Sequence, residues 1–167
     1  MNEMQTALLV IDMQVSLLAD ETPNPDEIVP AVQALVAAAR ATGVEVIWIT
    51  DRRIGPDGAL IPDLVPDATE LCIEKGECDA FDGTDLEAEL TILGVERLVI
   101  CGMQSDACID ATTRAASANG FAVVLAADAH TTHAFDGRDF RAVIADENAA
   151  LAQVERVTVK PSDAIFA

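Results

Sequence analysis

The sequence predicts an α/β fold in which a mostly parallel sheet carries helices on both faces, and three observations predict it. Short continuous apolar runs alternate with longer stretches of helical period along the whole chain. The first two apolar runs each end in an acid, Asp12 and Asp51, as strands buried on both faces do where they reach the rim of a sheet. The length of 167 residues, 51% of them hydrophobic, suits one full-sized core and predicts one domain over residues 1–167.

Taken in order, residues 7–11 form the first strand, ended by Asp12. Residues 26–41 place Ile28, Val32, Leu35, Val36 and Ala39 at helical spacing, and Gly43 closes that helix. Residues 44–50 form a second strand before Asp51, and the Pro- and Gly-rich residues 53–66 a loop over the strand ends. Residues 71–75 form a short third strand. Residues 84–93 form a helix for which Thr84 and Glu87 supply a capping box. A fourth strand at 97–101 precedes a helix at 106–119 with Asp106 as its cap or a first-turn acid. A fifth strand at 121–127, a helix at 138–154 and a sixth strand at 157–159 complete the series.

Composition excludes several classes. No apolar run approaches the roughly 20 residues of a membrane span. The net charge of −19, with Arg52-Arg53 as the longest basic cluster, argues against nucleic acid. The first residues lack the basic region of a secretion signal, and four cysteines in a chain of this size read as reduced thiols, so a cytoplasmic location is expected. Neither G-x-G-x-x-G nor a phosphate loop follows a strand, so no nucleotide cofactor is expected.

Ligands of such sheets bind beyond the carboxyl ends of the strands. Asp12, Asp51, Lys75, the turn from Gly102 to Cys108, and Asp128 all fall on that rim. Cys108 sits where a strand turns into a helix, and free amides with the positive helix end favour a thiolate there. Asp12 is placed to take the thiol proton, and Lys75, one of two lysines in the chain, to hold Asp12 ionised.

These residues resemble the isochorismatase-like cysteine hydrolases, the superfamily of nicotinamidase, N-carbamoylsarcosine amidase and ureidoacrylate amidohydrolase. The resemblance is carried by Leu8-Leu-Val-Ile-Asp-Met-Gln14, by Glu74-Lys75-Gly76 with Phe81, by Gly102-Met-Gln-Ser-Asp-Ala-Cys-Ile109 with Thr112 and Ala115-Ala116, and by Ala127-Asp128-Ala129. It implies a three-layer α/β/α, Rossmann-like fold with a six-stranded sheet and a Cys108–Asp12–Lys75 triad. It also implies a cis peptide at Met103–Gln104 and an oxyanion hole from the Gln104 and Cys108 amides. Cys108 would attack the carbonyl of a small amide, carbamoyl or ureido substrate to give a thioester, with Asp12 as the acid and base. Relatives are commonly dimers or tetramers, so a homo-oligomer is expected.

Where nicotinamidases begin a metal site with Asp-x-His, this chain has Asp51-Arg52-Arg53. No metal is therefore expected, and His130 and His133 do not replace that site. Gln14 and Ser16 either touch substrate or satisfy a turn, and Trp48 and Phe81 either line the pocket or pack the core. Cys101 reads as core. Two other readings stand beside the amidohydrolase: a vinyl-ether hydrolase of the isochorismatase type, and a non-catalytic or redox-sensing member of the fold.

Overall fold

A computed structural model describes residues 3–167 of the chain. Six strands form one parallel sheet: β1 (Thr6–Ile11), β2 (Glu45–Asp51), β3 (Leu71–Lys75), β4 (Arg97–Met103), β5 (Ala122–Thr131) and β6 (Val157–Lys160). Their order is β3-β2-β1-β4-β5-β6. The chain therefore runs outward from β1 to β3, returns to β4 beside β1, and runs outward again to β6. That reversal puts the topological switch point between β1 and β4, where sheets of this class open a crevice.

Alternation along the strands divides the core into two layers. Ala7, Leu9 and Ile11 of β1 pack with helices α3 (Leu86–Ile92), α4 (Asp110–Ala118) and α5 (Phe140–Leu151) through Leu86, Leu90, Ala116 and Leu151. Leu8 and Val10 face the other way, onto α2 (Pro25–Ala41). Ile28, Val32, Leu35, Val36 and Ala39 form the buried stripe of α2, as their spacing predicts. Each large side chain in it contributes about 1.5–3 kcal/mol by burial. Pro25 opens α2 and Gly43, at φ +72, lies just past its end, where a left-handed residue terminates a helix at least cost.

Several boundaries differ from the sequence reading. A short helix, α1 (Val15–Glu21), directly follows β1 and has no predicted counterpart. It carries little periodic signal because only Ser16 in it is buried. The predicted capping box is not formed: α3 begins at Leu86, and the Thr84 hydroxyl donates to the Ala80 carbonyl at 2.6 Å. Helix α5 begins after Asp139, whose carboxylate accepts the amides of Arg141 and Ala142. β5 runs on through Asp128 to Thr131, with a register shift that brings His130 beside Gly102. Asp128 therefore leaves the rim and binds the amide and hydroxyl of Ser162 instead. No helix among the described residues is long and apolar enough to cross a membrane.

Candidate active site

The site is built on the switch-point crevice. Asp12 follows β1 in the left-handed region at φ 53, which Asp tolerates better than most residues, and its amide donates to the Ile49 carbonyl at 2.9 Å. This bend ends the strand and buries the carboxylate, 1% exposed, at the mouth of the sheet. Two strands away, the parallel register sets Asp51 beside Lys75. Register partners share a face of the sheet, so their side chains meet. Lys75 Nζ lies 2.8 Å from Asp51 Oδ2, 3.0 Å from Asp12 Oδ2 and 3.2 Å from Cys108 Sγ. Arg53 closes Asp51 from the outside, its Nη2 2.7 Å from Oδ2 and its Nε 3.0 Å from Oδ1.

Cys108 arrives from the opposite side of the crevice. After β4 the Met103–Gln104 peptide is cis, and residues Ser105–Ile109 form one π-helical turn before α4. The Gln104 carbonyl accepts the Ile109 amide at 3.1 Å across that wide turn. The turn is buttressed from within. Ser105 Oγ lies 2.7 Å from His130 Nδ1, His130 Nε2 2.8 Å from Asn148 Oδ1, and Asn148 Nδ2 donates to the Ala127 carbonyl at 3.1 Å. Burial pushes the His130 pKa down, so the ring is neutral and fits this chain with Nε2 as donor and Nδ1 as acceptor. Asp106 is a first-turn acid and not the cap, and its carboxylate accepts the Thr132 hydroxyl at 2.6 Å. Gly102, at φ +118, lies against β1 so closely that a Cβ would sit 2.0 Å from the Ile11 carbonyl oxygen.

Charge decides the resting state. Burial raises the Cys108 thiol above its ordinary pKa, and the Asp12 carboxylate raises it further, with Lys75 opposing both. Burial and Asp12 thus push the thiol against the thiolate that a helix terminus favours, and Lys75 is the group that supports the anion. Burial also raises Asp12, against the Lys75 charge and the hydrogen bonds from Cys108 and Lys75 that lower it. Burial alone would raise Asp51 too, but hydrogen bonds from Arg53 and Lys75 outweigh it and hold that carboxyl well below the usual range. Burial would lower Lys75, yet Asp12, Asp51 and Cys108 keep it charged. The arrangement is a buried thiol and a buried carboxylate with one ammonium touching both.

A cavity of about 420 Å³ opens onto Asp12, Asp51 and Cys108. Ser16, one of the four predicted substrate contacts, lines it, and so does Gln104, whose amide is predicted for the oxyanion hole. Gln14, Trp48 and Phe81 do not. Gln14 is a clamp on Asp51: its Nε2 donates to the Asp51 carbonyl at 3.0 Å, and its Oε1 accepts the Asp51 amide at 2.8 Å. Trp48 points into the α2 layer, fully buried, and donates to Glu70 Oε2 at 2.8 Å. Phe81 stacks on Phe121 at 6.0 Å on the α3 side. Sequence reasoning missed Leu17, Asp20 and Glu21 of α1, which form one wall. It also left Asp51 undecided; the signal for Asp51 is its place at the end of a strand parallel to the one ending in Lys75.

Asp12, Asp51 and Cys108 present ligand atoms within 4.8 Å of one another, a spacing that could hold a metal ion. Lys75 Nζ already contacts all three groups, so a divalent ion would have to displace a buried ammonium. The residues present do not suit one.

Comparison with known proteins gives the family. Streptothricin hydrolase of Streptomyces noursei is 34% identical over 137 residues, covering 76% of this chain and 54% of that protein. N-carbamoylsarcosine amidase of Arthrobacter sp is 30% identical over 129 residues, covering 62% of this chain and 49% of that protein. The chain thus spans about half the length of these relatives. The crystal structure of an isochorismatase from Pseudomonas putida KT2440 superposes with a TM-score of 0.85 at 29% identity, covering 95% of this chain and 89% of that one. The family model described as the isochorismatase domain matches residues 6–156, and with that match the chain belongs to the isochorismatase family.

Proposed function

We propose that the protein is a hydrolase that cleaves a C–N bond of a small amide, carbamoyl or ureido compound through a Cys108 thioester. The observation that carries this reading is the contact of one buried ammonium, Lys75, with both the Cys108 sulfur and the Asp12 carboxylate at the foot of an open cavity. The relatives streptothricin hydrolase and N-carbamoylsarcosine amidase have names consistent with it.

In the proposed cycle the substrate carbonyl lies over Cys108 and Asp12 takes the thiol proton as sulfur attacks carbon. A raised Asp12 pKa favours that transfer, since the carboxyl must hold the proton until it is passed on. Lys75 stays charged and compensates the sulfur anion as it forms. The amides of Gln104, which precedes the π-turn, and Cys108, within it, are assigned to the carbonyl oxygen as it gains charge. Asp12 then gives the proton to the departing nitrogen, the C–N bond breaks, and the thioester remains. Asp12 next takes a proton from water, the hydroxide adds to the thioester, and the Cys108 thiolate leaves and recovers a proton from Asp12. Asp51 is assigned a positioning role: it fixes Lys75, while Gln14 and Arg53 fix Asp51.

The test is a panel of small amides and ureides with ammonia release as the readout, run on the wild type, Cys108→Ala and Asp12→Asn. Turnover that vanishes in both variants, with one equivalent of iodoacetamide on Cys108 abolishing activity, is the expected result. Full turnover by Cys108→Ala removes the thioester. Such turnover confined to isochorismate transfers the assignment to vinyl-ether hydrolysis, which needs no sulfur nucleophile.

A further inference from the structure

His130 is a buried titratable side chain, 3% exposed, that the proposed cycle does not use. The irregularity in β5 puts it where it is. Strict register with β4 would set Ala127 opposite Gly102, and the shift sets His130 there instead. Such bulges re-aim a side chain and are frequent beside active sites. The same stretch supplies an anchor, because the Ala127 carbonyl accepts Asn148 Nδ2 at 3.1 Å.

The order of protons along the resulting chain is fixed. With Nδ2 committed to a carbonyl, Asn148 presents Oδ1 to His130 Nε2 at 2.8 Å, so Nε2 carries the ring hydrogen. Nδ1 is then the acceptor, and the fully buried Ser105 hydroxyl donates to it at 2.7 Å. Ser105 opens the π-turn that carries Cys108. Neighbours of His130 grip the same segment. Thr132, on the same face of β5, donates to Asp106 at 2.6 Å, and His133 Nδ1 accepts from Gln104 Nε2 at 2.9 Å. Three consecutive residues, Gln104, Ser105 and Asp106, are thus each held by a side chain from residues 130–133. Only in the His130–Ser105 contact are both partners buried. A bond lost there leaves a hydroxyl that no water can satisfy, so the turn itself must move.

We propose that His130 is a positioning residue for the nucleophile, an inference that rests on the hydrolase reading above. Acting through Ser105, it holds the π-turn so that Cys108 Sγ stays 3.2 Å from Lys75 and the amides of Gln104 and Cys108 stay aimed at the reacting carbonyl. Neither His130 nor Ser105 lines the cavity, so neither touches substrate. A polar cluster that served stability alone would affect unfolding and leave the reactivity of Cys108 unchanged.

The probe is iodoacetamide, with the rate of Cys108 labelling at pH 8 followed by peptide mass spectrometry. His130→Phe keeps an aromatic ring and removes both ring nitrogens. Labelling is expected to slow by about tenfold as the sulfur leaves Lys75. On the amide that the panel above selects, kcat should fall by about a hundredfold with KM little changed. Two variants separate positioning from bulk stability. His130→Asn keeps an acceptor near the place of Nδ1 and should recover most of the labelling rate. Ser105→Ala cuts the path by itself, so it should slow labelling as His130→Phe does, and adding His130→Phe to it should slow labelling by less than about twofold more. Ser105→Ala also carries the test if His130→Phe fails to fold. Labelling at the wild-type rate in Ser105→Ala overturns the proposal, and so does a His130→Phe effect that is undiminished in the Ser105→Ala background. If the wild type turns over no amide but this labelling pattern holds, the hydrolase reading fails and the positioning inference survives. If amides are turned over equally well by the wild type, His130→Phe and Ser105→Ala, the positioning inference fails and the hydrolase reading survives.

Discussion

Replacing Lys75 by Met keeps the length of the side chain and removes the one charge that contacts Asp12, Asp51 and Cys108. Each of the two carboxylates lies about 3 Å from Nζ, and a unit pair at that distance interacts by about 5–6 kcal/mol at an effective dielectric of about 20. Desolvation of the buried ions offsets much of this. The net cost of removing one partner, with the other charges left behind, is therefore about 3–5 kcal/mol. Arg53 still neutralises Asp51, so the burden falls on Asp12, whose pKa rises further once the cation is gone. Loss of the cation favours the protonated form of Asp12, which cannot accept the thiol proton. Two measurements follow. Chemical denaturation should show stability lower by about 3–5 kcal/mol, with Tm down by about 10 °C for a chain of this size. Turnover of the best amide should fall by at least about a thousandfold, with activity reappearing in part at higher pH, where Asp12 ionises again. A Lys75→Met protein that retains turnover within about tenfold of the wild type at pH 7 refutes the assignment of Lys75 and the charge argument with it.

Three further outcomes are expected. Trp48→Phe removes the indole hydrogen bond to Glu70 and should lower stability by about 1.5–3 kcal/mol while leaving kcat/KM unchanged, because the ring faces the α2 layer; a changed kcat/KM would return Trp48 to the pocket. Gly102→Ala drives a Cβ into the Ile11 carbonyl at positive φ and should cost at least about 3 kcal/mol, read by urea denaturation, since β1 and β4 must part at the crevice. Asp51 has a folded pKa below its unfolded value of 3.8, so its stabilisation is complete above that pH and is lost as pH falls below it. Tm measured from pH 6 down to about pH 2.5 should therefore drop less steeply for Asp51→Asn than for the wild type, from a lower starting value.

The strands were legible because each is an apolar run that the sheet buries on both faces, and the stripe of α2 because its period is that of a helix. Helix α1 was not, since a seven-residue segment with a single buried side chain leaves no pattern to read. Asp12, Lys75 and Cys108 could be named from strand ends and from the motifs around them, and the structure brings those three side chains together. Gln14 and Trp48 were ambiguous for a different reason: a polar or aromatic side chain at a strand end or on a strand serves a pocket or a core equally well, and the face on which it emerges chooses.

The sequence alone determined the alternating architecture, the family, and the identity of an acid, a lysine and a cysteine on one rim, because these follow from periodicity and motif order along the chain. Tertiary structure decided that Asp51 stands beside Lys75, that Trp48 turns away from the cavity, and that burial and Asp12 push the Cys108 pKa up while Lys75 opposes them. Each of those depends on strand register and on how many buried charges share one small volume. Both are sums over residues far apart in the chain, which no local pattern records.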